Sequence, residues 1–337
     1  MIDMNKNGTV SFKNRPIIAG AGSVVGKRES EGPLATFFDE TVSDGRYGEK
    51  TWEQAESKFQ QAALSHAMNN AHITTEKLGC IFSGDLLNQC TASSFAYRDN
   101  DVPFLGLYGA CSTFAEGLAM CALFADGGYM PYSAVCVSSH FCTAERQYRN
   151  PLAYGGQRPP SAQRTVTGAG AVIVASSGNG PRIPCATFGA VVDSGIKDAN
   201  NMGAAMAPAA YETLKKHFEN TGASPASYDL IATGDLGEVG RKIVIELFSR
   251  DGVKIENNYI DCGCKMFDNH RQDMHAGASG AACSATVFSS YILKEMKKGT
   301  WKRVLLAGTG SLQSPLTVQQ KETIPSVCHA VEIVSGE

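Results

Sequence analysis

One succession of elements occurs twice along the chain, and this duplication limits the possible folds more than any single motif does. Each copy has an apolar strand ending in Gly-Asp, then a helix of small residues, then a second apolar strand. A supersecondary unit used twice predicts an internally duplicated protein, and 337 residues suffice for two fused halves. The copies are 78–85, 113–128 and 133–139 in the first half, and 228–235, 277–299 and 303–310 in the second.

The composition of these elements indicates how the halves pack. The strands are rich in Val, Ile and Leu and alternate with helices, which is typical of largely parallel sheets covered by helices on both faces. Because the helices 113–128 and 277–299 are rich in Ala, Gly and Ser, they suit a place where little space is left. We therefore expect an α/β protein with halves 1–183 and 184–337, in which these two helices lie side by side between two sheets.

Charge and hydropathy exclude several classes of function. The net charge is -3, so no basic surface for a nucleic-acid backbone is expected. No run of roughly 18 apolar residues occurs, and the first ten residues lack the apolar stretch of a secretory signal. We predict a protein made on the cytoplasmic side without a signal peptide, whose association with a membrane is peripheral. The 11 irregularly spaced cysteines indicate a reducing compartment.

Five long strings, spread over nearly the whole chain, resemble one known superfamily. A Gly-Ala-Cys-Ser turn before a small-residue helix is similar to the thiolase and ketoacyl synthase superfamily. Taken together, the strings most closely resemble its stage V sporulation protein AD family, found in endospore formers. This resemblance implies a thiolase-like five-layer αβαβα sandwich, internally duplicated, with a pocket between the halves. The strings are GACSTFAEGLAM, FSGDLLNQC, ATGDLGEVG, YIDCGCKMFD and MHAGASG.

The resemblance places Cys111 in this pocket. Cys111 follows Gly109 and Ala110 at a strand-to-helix turn, where the superfamily has its nucleophilic cysteine. Amides at a helix N-terminus stabilise a thiolate and accept an oxyanion, which is why such a turn suits a nucleophile. The alternative is a buried structural thiol. Acyl transfer also needs an acid and a base, so the position alone does not make Cys111 reactive.

These acid and base partners are missing where the resemblance would place them. Thiolases carry a histidine three residues ahead of a Gly-Ala-Ser-Gly run; here that place holds Met274, and His275 lies one residue too close. They also carry a second cysteine two residues before a Gly-x-Gly run, where this chain has Leu306. The loop 233–238, which holds the first histidine of the two-histidine condensing enzymes, contains none. We therefore predict a catalytically degenerate protein that binds a ligand.

Two other functions stay open. One is an acyl-thioester condensing enzyme resembling ketoacyl synthase III, with Cys111 as nucleophile and His275 as a displaced base. The other is a structural scaffold whose pocket is filled.

The family resemblance also implies a ligand and partners. Members of the family bind dipicolinic acid, pyridine-2,6-dicarboxylate, and we expect this chain to bind it, as its calcium complex, for uptake into the developing endospore. Other SpoVA membrane proteins at the spore inner membrane are the expected partners, and neither a cofactor nor a resident metal is expected. A homodimer formed across the strand after the nucleophile helix is expected as well, with a monomer as the alternative.

A flat dianion needs hydrogen-bond donors at both carboxylates. Amides at the start of the helix after Cys111, with the hydroxyl of Ser112, suit one carboxylate. For the other we predict a contact with Arg146, Arg158 or Arg164, because arginine presents a fork of donors. Each arginine could equally belong to an exposed basic loop or a dimer contact. The same segment, 141–168, also contains Tyr148, Arg149 and Tyr154.

Three further residues are candidates at the ends of strands or near them. His140 is predicted to donate to a carboxylate or to the pyridine nitrogen, unless it is a structural histidine whose hydrogen bonds are satisfied. Asp85 and Asp235 end equivalent strands, and they either reach the calcium ion or, as we prefer, cap the following helix. His275 is included among the residues that bind the ligand.

A zinc site is the last possibility. Cys262, Cys264, His270 and His275 are residue types that bind zinc, but their spacing is loose. Cys262 and Cys264 also occupy the place in the second half that the Cys111 turn occupies in the first. We therefore do not predict a zinc ion.

Overall fold

The computed structural model describes residues 3–5, 8–148 and 158–336 of the chain. Most of its strands belong to two large sheets, and two short strands form a separate ladder. The strands are β1 Asp3–Asn5, β2 Thr9–Ser11, β3 Ile17–Gly26, β4 Glu40–Val42, β5 Cys80–Gly84, β6 Phe104–Gly106, β7 Tyr132–Ser139, β8 Arg164–Thr165, β9 Gly168–Ala175, β10 Cys185–Phe188, β11 Leu230–Thr233, β12 Tyr259–Asp261, β13 Ala278–Ser279, β14 Arg303–Ser311 and β15 Ser326–Val334.

Helices connect these strands. The last central helix, α8, continues through a π-helical turn at Phe288–Ile292 into α9. The helices are α1 Trp52–Ala71, α2 Thr91–Tyr97, α3 Thr113–Asp126, α4 Phe141–Tyr148, α5 Met202–Thr221, α6 Gly237–Arg250, α7 Cys262–Met266, α8 Ala281–Val287, α9 Leu293–Lys297 and α10 Pro315–Gln319.

The two large sheets share one topology. The first has the order β4-β3-β9-β7-β5-β6 and the second has the order β1-β2-β10-β15-β14-β11-β12. In the first sheet β5 is parallel to both β6 and β7, and β9 is antiparallel to β7 and β3. In the second sheet β11 is parallel to both β12 and β14, and β15 is antiparallel to β14 and β10. The same five-strand arrangement occurs in both sheets, which is the predicted duplication.

The N-terminal strands are an exception to this symmetry. Strand β2 pairs antiparallel with β10, so the first strands of the chain extend the sheet formed by the second half. At the equivalent edge of the first sheet, β4 pairs with β3 instead.

The apolar faces of the sheets and helices determine the order of the layers in the fold. Helix α3 packs against β5, β7 and β9 of the first sheet and against β14 and β15 of the second, and α8 lies beside α3. On the outer faces, α1 covers the first sheet, and α5 and α6 cover the second. This is the predicted five-layer αβαβα sandwich, and every residue of α8 is buried. A Cβ atom on Gly170 of β9 would lie 2.4 Å from the backbone of Ala285, so α8 packs very closely on the sheet.

A short ladder joins the two halves near the centre. Strand β8 runs parallel to β13, with Arg164 opposite Ala278 and Thr165 opposite Ser279. This ladder brings the segment after residue 158 to the start of α8. No helix within the described residues is both long enough and apolar enough to span a bilayer.

Candidate functional site

Cys111 lies in a tight turn that enters the central layer. The turn, Ala110–Ser112, is a single 3-10 turn directly before α3, and Ala110 has a left-handed backbone with φ of 51°. The turn approaches β14 of the second sheet very closely, because a Cβ on Gly310 would lie 2.3 Å from the carbonyl oxygen of Gly109. The absence of a side chain at Gly310 of β14 therefore allows the Cys111 turn to pack against this strand. Only 6% of Cys111 is exposed.

The buried carboxylate of Asp235 is the ionisable partner of this thiol. Its oxygens accept hydrogen bonds from the backbone N–H of Gly280 at 2.9 Å and from the Thr309 hydroxyl at 3.0 Å. Cys111 also hydrogen-bonds to it. Burial raises the pKa of Asp235 to about 7. Burial, followed by the nearby Asp235 charge, raises the pKa of Cys111 well above its usual range, so the thiol keeps its proton.

Asp235 thus has a different role from the helix cap that the sequence favoured. The amides of Leu236 and Gly237 at the start of α6 donate to Asp261 instead, both at 2.9 Å. Asp235 instead holds Gly280, the residue before α8 of the same half, and faces Cys111 of the other half. Asp85 does fit the prediction of a cap, since it accepts from the backbone N–H of Ser93 in the first turn of α2 at 2.7 Å.

A small cavity of about 40 Å³ opens beside Cys111, and we call it the Cys111 cavity. Its wall combines the turn of Cys111, helix α4, the β8–β13 ladder and the segment after β14. Within the described part of the chain, no Lys, Arg or His side chain lines it. Its polar lining consists of Glu145, Tyr148, Thr165, Ser279, Ser311 and Gln313.

Two of these side chains belong to α4, a helix that the sequence analysis missed. Glu145 is buried with 6% exposure, and the hydroxyl of Tyr148 donates to the carbonyl oxygen of Leu86 at 2.7 Å. Charge favoured the arginines of the segment 141–168 as ligand contacts over Glu145, its one acid. The signal that could have revealed it is the amphipathic spacing of Ala144, Glu145 and Tyr148, which puts them on one face of a helix.

The three predicted arginines lie outside this lining. Arg146 is exposed and pairs with Glu53 of α1. The guanidinium of Arg158 donates to the carbonyl oxygen of Asp273 at 2.6 Å. Arg164 stacks over the ring of Phe141 at 3.8 Å and is adjacent to Thr165, so it is the nearest of the three in sequence to the cavity wall. A contact between any of them and a ligand stays a prediction. Arg149 and Tyr154 fall outside the described residues.

The remaining predicted ligand contacts have other partners. His140 is 2% exposed, hydrogen-bonds to the carbonyl oxygen of Gly45 at 2.7 Å and stacks on Trp52. Its pKa is lowered by burial, so it is neutral near pH 7. His275 hydrogen-bonds to the carbonyl oxygen of Pro159 at 2.9 Å. The buried Ser112 hydroxyl closes its own turn by donating to Gly109 at 2.7 Å. None of these three residues lines the Cys111 cavity.

A metal-ligating cluster occurs elsewhere, at residues that the sequence did not single out. Among the described residues, Cys185, His217 and Glu332 form the one group of such side chains close enough to share an ion; the Cys262 set forms none. Glu332 accepts two hydrogen bonds from Arg303, at 2.9 and 3.2 Å, and one from Tyr228 at 3.1 Å.

This cluster is an internally satisfied polar network. Burial acts to raise the pKa of Glu332, but the contact with His217, the hydrogen bonds from Arg303 and Tyr228 and the charge of Arg303 lower it to about 2. Burial and the Glu332 charge raise the pKa of Cys185, so its thiol is neutral. The residues lie up to 147 positions apart, so no local pattern could have revealed them.

Comparison with known proteins relates this architecture to two groups. Residues 6–334 match the family described as Stage V sporulation protein AD (SpoVAD). The chain is 41% identical to the stage V sporulation protein AD of Bacillus subtilis (strain 168) over 320 residues, covering 95% of this chain and 94% of that protein.

Solved structures support the fold. The chain is similar to 3-oxoacyl-[acyl-carrier-protein] synthase III from Aquifex aeolicus VF5, with a TM-score of 0.58 and 14% identity over 95% of this chain and 99% of that one. It is also similar to Xanthomonas campestris OleA with bound cerulenin, with a TM-score of 0.61 and 17% identity over 96% of this chain and 99% of that one. The chain therefore belongs to the stage V sporulation protein AD family, and it has the thiolase fold of these condensing enzymes.

Proposed function

We propose that this protein binds dipicolinate at the Cys111 cavity as a non-catalytic protein of sporulation, that the ligand enters as its calcium complex, and that the cavity, about 40 Å³ in this structure, widens to admit it. The observation that carries the proposal is the lining of the cavity. It combines one buried acid, Glu145, with neutral oxygen-bearing side chains, and no described lining residue is a cation.

This lining suits a metal complex better than a free dianion. Burying two bare carboxylates in this lining without cationic donors would cost several kcal/mol. Calcium prefers carboxylate, hydroxyl and carbonyl oxygens, and it would neutralise the ligand. Tyr148 and Gln313 offer further oxygens at the same cavity.

The state of Cys111 supports binding over acyl transfer. A cysteine nucleophile reacts as the thiolate, and here burial and the carboxylate of Asp235 favour the thiol. His275 is engaged with Pro159, and Leu306 of β14 cannot transfer a proton. These three observations favour a protein that has kept the pocket of the fold and lost its reaction.

One observation favours the alternative function, an acyl-thioester condensing enzyme resembling ketoacyl synthase III. The carboxylate of Asp235 contacts Cys111, and its pKa of about 7 is suitable for a general base. In this alternative, Asp235 would accept the thiol proton while Cys111 attacks an acyl thioester.

The setting of the proposed function is the surface of the spore inner membrane. We propose that the protein associates peripherally there with other SpoVA membrane proteins, and that these carry the ligand into the developing endospore.

A homodimer would form through the edge of the first sheet. Strand β7, which follows the nucleophile helix, lies between β5 and β9, so the strand first expected to pair between subunits has no free edge. Strand β6 is at the edge, and it exposes Phe104 and Leu105, with Tyr108 and Phe95 exposed nearby. We propose that two copies pair along β6, which would cover this apolar surface.

Two parallel measurements on the purified protein test the function. Calorimetric titration with dipicolinate and calcium should show saturable binding. Mass spectrometry after incubation with acetyl-CoA should find Cys111 unmodified. Acylation of Cys111 with steady release of CoA, both lost in Cys111→Ala, would support the enzyme instead.

A further inference from the structure

Two buried carboxyl groups lie behind the wall of the Cys111 cavity. Glu56 of α1 is 1% exposed, and Asp85, at the end of β5, is 5% exposed. Within the described residues neither carboxyl forms an ion pair, and the interactions that act on them include no cation. Two buried acids close to each other without a counter-ion cannot both be ionised at low cost.

A single amide links the two groups. The side-chain N–H₂ of Gln60 donates to the hydroxyls of Ser138 at 2.7 Å and Ser93 at 2.9 Å. Ser138 in turn donates to Glu56 at 3.0 Å, and Ser93 donates to Asp85 at 2.6 Å. The two carboxyl groups therefore belong to one network, in which the charge of each raises the cost of ionising the other.

The hydrogen-bond donors around the pair indicate which acid keeps a proton. Asp85 accepts three hydrogen bonds, from the hydroxyl and the backbone N–H of Ser93 and from the backbone N–H of Leu87. Glu56 is near two hydroxyls and no backbone N–H. More donors stabilise a carboxylate, so Asp85 is the ionised member. Burial, and then the charge of Asp85, raise the pKa of Glu56 to about 8.

The hydroxyl of Thr143 connects Glu56 to the start of α4. Its oxygen lies 2.8 Å from Glu56 Oε2 and 3.0 Å from the carbonyl oxygen of His140. One hydroxyl hydrogen cannot serve two acceptors. If Glu56 is protonated, it donates to Thr143, and Thr143 donates to His140. The His140 carbonyl oxygen also accepts from the backbone N–H of Ala144 at 3.1 Å, so the contact between Thr143 and Glu56 is compatible with a protonated Glu56 without requiring it.

Thr143 belongs to the helix that forms the cavity wall. It lies in the first turn of α4, directly before Ala144 and Glu145, which line the Cys111 cavity. The 85–87 turn forms the adjacent wall, since Leu86 lines the cavity and Asp85 fixes Leu87. The two acids therefore support both sides of the cavity from behind.

We propose that the protonated carboxyl of Glu56 is a positioning group: packed against Thr143 it holds α4 against α1, and loss of this proton, which would bury a second charge beside Asp85, displaces the cavity wall that α4 forms. The consequence for the ligand rests on the proposed function. The protonation of Glu56 and the position of α4 are independent of that function.

The other titratable and charged groups described around the pair do not take over the role of the Glu56 proton, which is to keep this carboxyl neutral. Arg146 is paired with Glu53, and the pKa of His140 is lowered by burial, so neither neutralises Glu56. The groups that face the pair from the packed elements are Glu53 of α1, Cys90 and Tyr97 of the α2 region, His140 after β7, and Glu145, Arg146 and Tyr148 of α4.

The test compares Glu56→Gln with a matched control, Glu53→Gln. Glu53 lies one turn earlier on α1 and also reaches α4, but through an exposed ion pair. At pH 7, the infrared difference spectrum of the ligand-free proteins, wild type minus Glu56→Gln, should show a protonated carboxyl band that the difference wild type minus Glu53→Gln lacks. At pH 9, a thiol reagent should label the half-buried Cys142 of α4 faster in wild type than in Glu56→Gln.

Ligand affinity gives the third readout. Above the pKa of Glu56, wild-type affinity should fall toward roughly tenfold per pH unit, the limit for one linked proton. Glu56→Gln should keep its affinity over the same range, because glutamine stays neutral and donates to Thr143. In Thr143→Val, Cys142 should be labelled fast at every pH. This variant serves as the test if Glu56→Gln does not fold.

Two results would overturn the inference: a difference spectrum, wild type minus Glu56→Gln, without a protonated carboxyl band, or equal Cys142 labelling of wild type and Glu56→Gln at pH 9. If dipicolinate binds at no pH, the proposed function fails, while the band and the labelling still decide the role of Glu56.

Discussion

Replacing Gly310 by Ala should displace the turn that carries Cys111. A Cβ atom at this position would lie 2.3 Å from the carbonyl oxygen of Gly109 and 2.9 Å from the backbone nitrogen of Ser112. Ordinary contacts of a Cβ begin near 3.4 Å, so the turn or β14 has to move by about 1 Å. Both obstructing atoms are backbone, and no side-chain rotation can relieve the clash.

The expected cost follows from this overlap. Overpacking of a well-packed core costs about 1–3 kcal/mol, and we expect Gly310→Ala near the upper end because backbone has to shift. The free energy of unfolding from urea titration measures this cost directly. The same shift should separate Cys111 from Asp235 and make the thiol more reactive toward an alkylating reagent.

Gly45→Ala is the matched control. A Cβ on Gly45 meets only the ring of Trp52, at 3.6 Å, so its stability should stay within about 0.5 kcal/mol of wild type. If Gly310→Ala is equally stable and its Cys111 is no more reactive, the close approach of the turn to β14 does not hold the site in place.

Other substitutions have distinct expected results. In calorimetric titrations, Cys111→Ala should bind the ligand almost normally and Cys111→Trp should not bind it. Arg164→Ala, next to the cavity wall, should weaken binding by roughly 2 kcal/mol, while Arg146→Ala should not; normal binding by Arg164→Ala would contradict this. Arg303→Met should destabilise the fold by about 2 kcal/mol at pH 7, less than a fully buried pair, because 38% of the Arg303 side chain is exposed. The contact with His217, the hydrogen bonds from Arg303 and Tyr228 and the charge of Arg303 together lower the pKa of Glu332 from 4.5 to about 2, so the stability that they add is present above pH 4.5 and is lost as the pH falls to about 2. Urea titrations at pH 7 and pH 3 should therefore differ more for wild type than for the variant.

The layered fold was accessible from sequence because its signals are local. The small-residue helices and the strands rich in Val, Ile and Leu carry their own periodicity, and they occur in the structure as α3, α8, β7 and β9. Strand β15 was missed although it is long and buried, because antiparallel pairing with β14 carries no sequence signal of its own. The placement of β2 beside β10 was missed for the same reason.

The site was less accessible because its contacts cross the fold. Cys111 was identified from its turn, but its partner Asp235 is 124 positions away and had an equally good interpretation as a helix cap. Charge suggested the arginines of the segment 141–168 as ligand contacts. Burial instead brought Glu145, from the same segment, to the cavity. Sequence gives the charge of a side chain but not the direction in which a short helix points it.

The most direct test of the proposed function is the calcium dependence of dipicolinate binding to wild type and to Glu145→Gln. We predict that wild type binds the calcium complex at least tenfold more tightly than free dipicolinate, a difference of about 1.4 kcal/mol. Glu145→Gln should lose much of this preference, because it removes the one acid among the described lining residues and keeps its shape. Equal or tighter binding of free dipicolinate by wild type would contradict the proposal.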